Sequence, residues 1–471
     1  MEALKNQVSE VFALQREYFL NYMKSAPLSV RKTKLKELKK WILTHEDDIC
    51  EAIHADFKKP YFETKISEIF PTVSAIRHAL QNMENWSSTD SVEGGLGYLF
   101  TSSKVRKEPK GVSLVISPWN YPFMLALEPT ISAIAAGCTV ILKPSENTPH
   151  TSALLKKMAE EVFKPEDFAV FLGDYTVSQE LLKNSFNHIF FTGSPQVGKT
   201  VMKAAAEHLT SVTLELGGMN PAVIDETAGL KDTAEKILWA KGMNSAQTCV
   251  SVNEMYVHES VKEKLVEAFM KAEKKLYPKG YVQGEAMSVL VNDHHYLNVK
   301  EMLTEALEKG AKVVFGGDTD DAHRWISPTI IIDVPKECRL RNEEIFAPVL
   351  VLTAYSDLDH VISEIQKKPI PLSAYIFSKS RKNQKKFLKR IQAGTICVND
   401  TTIQFAQPNL PFGGHGNSGI GKAHGKFGFL EFTNLRAELR QRRGFTSAKL
   451  IYPPYDKKWK QLIVKTFIKW F

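Results

Sequence analysis

The chain has 471 residues, 43% hydrophobic and 24% charged, which excludes a disordered chain and suffices for two or three globular domains. Its five cysteines (Cys50, Cys138, Cys249, Cys338, Cys397) are odd in number, scattered and without a CxxC pair. That excludes a disulfide framework and a zinc site, so no metal is expected, and reduced thiols in the cytoplasm are.

A net charge of +8 suits a dinucleotide or an acidic membrane surface, and equally a lysine-rich exterior. No zinc-knuckle spacing or aromatic–basic RNA signature occurs, so no nucleic-acid partner is expected. The stretch Met1–Lys5 has an early acid and no apolar core, hence no expected secretion signal, and no apolar run is long enough to span a membrane.

Residues 1–85 read as helices, with Leu4, Val8, Val11 and Phe12, then Leu35, Leu38, Ile42, Ile49 and Ile53 at helical spacing. Residues 87–103, with Gly94, Gly95 and Gly97, form a turn-rich excursion that predicts an arm or hairpin. From Gly111 the texture becomes alternating strand and helix, with strands at 111–116, 138–142, 168–172 and 189–191 and helices between. Such repetition predicts a parallel sheet covered on both faces, binding ligands at the carboxyl ends of its strands. A second series follows, with strands at 212–216, 222–224, 254–257, 313–315, 329–332, 349–352, 374–377 and 395–398. Residues 408–425 are too rich in Gly and Pro for helix or strand. The end, 457–471, carries five lysines and no acid, with Trp459, Ile463, Phe467 and Trp470 along one side at helical spacing.

Gly193-Ser-Pro-Gln-Val-Gly198-Lys199-Thr200 matches the P-loop pattern GxxxxGK[ST], and Pro221–Asp225 resembles an apolar strand ending in a magnesium-holding Asp. A P-loop nucleotide hydrolase is therefore one reading. It leaves unexplained Cys249 and the motifs around it. Any glycine turn opening a helix can also face a phosphate.

The motifs Ser117-Pro-Trp-Asn120-Tyr-Pro122, Lys143-Pro-Ser-Glu146, Phe191-Thr-Gly193-Ser-Pro-Gln-Val-Gly198, Leu214-Glu215-Leu-Gly217-Gly218, Gln247-Thr-Cys249, Glu343-Glu344-Ile-Phe346-Ala-Pro348 and Pro411-Phe-Gly413-Gly414 occur in this order. In them the chain resembles an aldehyde dehydrogenase, most closely the class 3 branch that includes fatty aldehyde dehydrogenases. The resemblance implies an α/β fold with a Rossmann-type cofactor domain (1–84 and 106–213) and an α/β catalytic domain (214–394). It further implies a small β bridging element (85–105 and 426–450), a glycine-rich return segment (395–425) and a basic tail (451–471).

The implied activity is oxidation of a small-molecule aldehyde to its acid with NAD, or NADP as the alternative. Cys249 is the expected nucleophile, Asn120 with the Cys249 N–H the oxyanion donors, and Glu215 the base for water, with Glu344 a second candidate. Taken singly, Cys249 reads as inert packing, Asn120 as a turn residue and Glu215 as a surface carboxylate. For the cofactor, the resemblance implies Gly193, Ser194, Val197 and Gly198 beneath the phosphates. It places Lys143 and Glu146 at the adenine ribose, and Glu344 and Phe346 at the nicotinamide ribose.

Ala246 and Ala347 stand where the family usually has glycine, so a methyl is expected to crowd a left-handed backbone at both positions. A non-catalytic structural relative is the third reading. The bridging arm implies a homodimer. The tail is expected to lie on an anionic membrane, to pack over the substrate entrance or a partner subunit, or to fray.

Overall fold

A computed structural model describes residues 2–95, 98, 100–281, 285–444 and 446–470, without the side chains of Leu450 and Trp470. Gly97 of the expected arm and the Trp470 side chain of the expected apolar stripe lie outside the described residues.

Two sheets organise the chain. The first has six strands in the order Gly419–Ile420, Ser211–Leu216, His188–Gly193, Val112–Ile116, Thr139–Lys143 and Phe168–Val170. All pairs are parallel except the short 419–420 strand. The central strands are mostly apolar because helices cover both faces. Every residue of Val112–Ile116 and Thr139–Lys143 is buried. Strand Val112–Ile116 lies between Thr139–Lys143 and His188–Gly193. Chain order therefore reverses there, and a crevice opens beyond the carboxyl ends of 112–116 and 188–193.

The second sheet has seven strands in the order Lys312–Phe315, Thr329–Ile332, Val349–Tyr355, Val252–His258, Asn220–Ile224, Ser373–Phe377 and Thr395–Val398. Only the 312–315 strand runs antiparallel. A third, antiparallel sheet joins Asp90–Val92, Thr101–Pro109 and Thr433–Gln441, with residues 101–109 paired along 441–433. This is the predicted arm. Helices fill 2–87, and the tail forms the helix Lys458–Trp470, with Trp459, Leu462, Phe467 and Ile468 exposed. Among the described residues no helix is long and apolar enough to cross a membrane.

Several expected boundaries move. Residue 214 falls inside the strand Ser211–Leu216, which hydrogen-bonds to its neighbours along its length. The passage between sheets is the turn after it, at Gly217–Met219. Likewise 106 falls inside the strand Thr101–Pro109. The return segment, expected to begin at 395, opens with Thr395–Val398, the edge strand of the seven-stranded sheet. Residues 408–425 do contain a strand, Gly419–Ile420, which caps the first sheet beside Glu215.

Candidate active site

At the crevice a cavity with about 1000 Å³ of empty space runs between the two sheets. One wall is the turn after Val112–Ile116, with Pro118, Trp119 and Asn120, and another is Thr192–Ser194. Glu215 and Gly217 line it from the end of Ser211–Leu216, Glu344 and Phe346 from the second sheet's side, and Cys249 closes it.

Cys249 is aimed by an unusual loop. Asn244, Ser245 and Ala246 all have left-handed backbones, with φ of +53°, +49° and +55°. Non-glycine residues pay about 1–2 kcal/mol each for this, so the surroundings must hold them. Glu63 Oε1 accepts the Asn244 N–H at 2.7 Å, and Asn244 Nδ2 donates to Asn120 O at 2.7 Å. Ser245 Oγ donates to Ser288 O. The Gln247 amide donates to Val289 O at 3.1 Å and accepts from Val291 N at 3.0 Å. The expectation for Ala246 is thus met, whereas that for Ala347 is not: the left-handed residue there is Phe346, with φ of +52°. Its O accepts from His295 Nε2 at 2.9 Å if that nitrogen carries the proton, and its ring meets Trp119 edge-on.

Burial, then the nearby carboxylates Glu344 and Glu215, push the Cys249 thiol well above its usual range, although its own N–H and that of Val250 favour the thiolate. Glu215 is buried, neither carboxylate oxygen has a hydrogen-bond partner, and burial raises its pKa well above the usual range. Lys422 opposes that rise, and Glu128 and Glu431 add to it. Asn120 Nδ2 donates to Gln247 O at 2.9 Å, which leaves its second hydrogen for the cavity. Glu344 rests on Gly217, where a Cβ would stand 2.1 Å from Oε2. Burial lifts it to about 7, against the Gly218 N–H and Lys241. Buried Lys241, itself lowered to about 7, donates to Ala347 O at 3.3 Å and Val349 O at 3.1 Å.

Of the cofactor residues expected, Gly193, Ser194, Glu344 and Phe346 line this cavity, and Lys143, Glu146, Val197 and Gly198 do not. Lys143 Nζ pairs with Glu146 at 2.7 Å beyond the strand Thr139–Lys143. Val197 is exposed on the first turn of the helix Pro195–Ala206, and Gly198 packs that helix on Leu216, 2.8 Å from a would-be Cβ. The P-loop reading fails here. The helix already begins at Pro195, so the residues between the two glycines are helical rather than an open phosphate cradle. Asp225 belongs to the other sheet and is occupied by Thr227 and Asn383.

A second cavity, with about 1120 Å³ of empty space and mostly apolar walls, also reaches Cys249. Ile66, Phe70, Met124, Trp239, Met243 and Ile403 line it, none of which belongs to a sequence motif. Glu63, Glu128 and His424, all near the sulfur's surroundings, were equally invisible in sequence. For two of them the one signal is position: Glu128 is the lone charge in the apolar helix Met124–Ala136, and His424 lies near the end of the glycine-rich segment.

The sequence profile of the aldehyde dehydrogenase family matches residues 1–437. The 4,4'-diaponeurosporen-aldehyde dehydrogenase of Staphylococcus aureus is 39% identical, covering 96% of this chain and 97% of its own. Aldehyde dehydrogenase family 3 member H1 of Arabidopsis thaliana is 39% identical over 91% of this chain and 88% of its own. Among solved structures, substrate-bound Staphylococcus aureus AldH superposes with a TM-score of 0.93 at 37% identity, covering 98% of this chain and 99% of its own. A Mycobacterium tuberculosis aldehyde dehydrogenase complexed with NAD+ gives 0.85 at 27% identity, over 94% and 91%.

Proposed function

Because the chain belongs to the aldehyde dehydrogenase family and oxidises aldehydes with NAD or NADP, we propose that its substrates are apolar aldehydes, medium- or long-chain aliphatic or aromatic, turned over through a thioester on Cys249. The observation that carries this is the meeting of two cavities at Cys249, one at the sheet crevice lined by Asn120, Glu215 and Glu344 and one with mostly apolar walls.

NAD or NADP, when bound, supplies the hydride acceptor. The crevice fits such a group: Gly217 leaves the space that Glu344 fills, and the Phe346 ring stands fixed against Trp119 at the cavity wall. Glu344 and Phe346 would hold the nicotinamide ribose, Gly193, Ser194, Val197 and Gly198 the phosphates, and Lys143 with Glu146 the adenine ribose. Cys249 Sγ adds to the carbonyl carbon, and the developing alkoxide takes hydrogen bonds from the free Asn120 amide hydrogen and the Cys249 N–H. Such donors are worth about 100- to 1000-fold each in rate. Loss of hydride leaves the thioester. Glu215, buried at the cavity wall, is then the base for the hydrolytic water. Glu344 is the second candidate, raised toward neutrality but anchored on Gly218.

Long apolar substrates are supported by the walls of the second cavity and by the name of the Staphylococcus aureus relative, a 4,4'-diaponeurosporen-aldehyde dehydrogenase. The three-stranded arm supports a homodimer. The basic tail helix, apolar along Trp459 and Phe467, supports peripheral contact with an anionic membrane of a cytoplasmic enzyme. NADH formation with a panel of aliphatic and aromatic aldehydes of increasing length tests the reading. Activity confined to short polar aldehydes, or full activity in Cys249→Ala, would overturn it.

A further inference from the structure

The two cavities share five lining residues: Leu125, Glu128, Cys249, Phe405 and His424. This junction is where an aldehyde carbonyl must lie to meet the sulfur. Three of the five ionise, and two of these, Glu128 and His424, face each other with His424 Nε2 3.2 Å from Glu128 Oε1.

The imidazole is built into place. It is 4% exposed, stacks on Phe412 with centroids 5.0 Å apart and planes 13° apart, and meets the Phe405 ring edge-on at 4.8 Å. Its backbone is left-handed, with φ of +71°, a cost of about 1–3 kcal/mol that surroundings tolerate mostly at functional sites. Glu128 stands on the helix Met124–Ala136 just before Pro129, which has no N–H for Leu125 O, so the helix lacks one backbone hydrogen bond where it lines both cavities. A packing histidine needs neither a carboxylate partner nor a place on both cavities.

The reaction also lacks a proton acceptor at this point. The Cys249 thiol is held protonated by burial and by the two carboxylates, and Glu215 is the base for the later step, the hydrolytic water, so another group must take the thiol proton. We propose that the Glu128–His424 pair is the proton carrier for Cys249. As the S–C bond forms, the S–H bond breaks and its proton passes, directly or through one water, to the imidazole nitrogen not facing Glu128. The Glu128 carboxylate stabilises the resulting imidazolium, as carboxylates do in nucleophile–base–orienter sets. When water displaces the acyl group and the S–C bond breaks, the same proton returns to the sulfur, so the pair ends each cycle as it began. Other titratable groups face this pair. Glu215 feels the charge of Glu128, His78 approaches from the helix Phe70–Ser87 beside Gly425, and Lys422 lies two residues away, donating to Gly414 O.

The proposal rests on the thioester reading of Cys249, and the test separates the two. The first-turnover NADH burst with decanal and NAD is measured across pH in wild type, His424→Gln, His424→Ala and Glu128→Gln. We expect His424→Gln to slow the burst about 100-fold or more, to leave NAD affinity unchanged, and to alter the pH profile of the burst. Free imidazole should restore much of the His424→Ala burst, and Glu128→Gln should lose less than His424→Gln. A His424→Gln burst within a few-fold of wild type, or a slow His424→Ala burst that imidazole does not restore, overturns the proposal. A wild type that forms no NADH with any aldehyde overturns the thioester reading itself, and this proposal with it.

Discussion

Glu63 Oε1 accepts the backbone N–H of Asn244 at 2.7 Å, at the first of the three successive left-handed residues that lead to Cys249. Burial lifts this carboxyl from 4.5 to about 7, although Lys59 and the Asn244 N–H pull it down. An acid whose folded pKa is raised contributes stability that is complete below its unfolded pKa and is lost as pH climbs through the folded one. Glu63→Gln keeps an acceptor for Asn244 and removes the titrating charge. Its melting temperature should therefore exceed wild type at about pH 8.5, with the gap closing toward about pH 5.5. Glu63→Ala orphans the N–H and should cost about 1–3 kcal/mol at both pH values. Thermal melts across this range check both, and a glutamine variant melting lower than wild type at the alkaline end refutes the first.

Ala246 and Ala347 should respond oppositely to glycine. Ala246 is buried with φ of +55°, so Ala246→Gly relieves backbone strain and should stabilise the fold by about 1 kcal/mol or less after the entropy of the unfolded chain is counted. Ala347 is buried in an apolar cluster and is not left-handed. Ala347→Gly removes a packed methyl and frees the unfolded chain, and should destabilise by about 1 kcal/mol or more. Denaturant midpoints of the two variants decide the signs.

Alkylation of Cys249 by iodoacetamide should be slow. Its thiol is raised by burial, so the thiolate fraction near neutrality lies below that of free cysteine. The rate should rise about tenfold per pH unit and keep rising past about pH 9, where a free thiol levels off. Mass spectrometry of the Cys249 peptide over time measures this, and a plateau near neutral pH contradicts it.

Glu215→Gln should separate the two halves of the reaction. The variant should release close to one NADH per site in a burst, then slow about 100-fold or more in the steady state, because water lacks its base. Stopped-flow absorbance resolves the phases. A burst lost together with the steady state would place Glu215 in acylation instead.

Much of this molecule is legible in the chain because burial on both faces writes strands as apolar runs. Val112–Ile116 and Thr329–Ile332 are of this kind, and a proline shortly after each, Pro118 and Pro335, marks its end. The sheet division was misjudged because Leu214-Glu215 opens a motif while Ser211–Leu216 forms one strand. Glu128 and His424 meet only when the helix Met124–Ala136 packs on Gly425–Glu431, and no local pattern encodes that pairing. Glu63 likewise reads as an ordinary helical glutamate until the 244–246 loop folds onto it.

The placement of Cys249 between two cavities bears on the order of events. On the proposed thioester route an acyl chain on the sulfur would lie in the second cavity, leaving the crevice to the cofactor. On that route reduced cofactor would depart through the crevice while the thioester persists, and the space it vacates would lie beside Glu215, where the hydrolytic water has to arrive. Oxidation and hydrolysis would then be separated by an exchange within the crevice alone, with the acyl group left where it is.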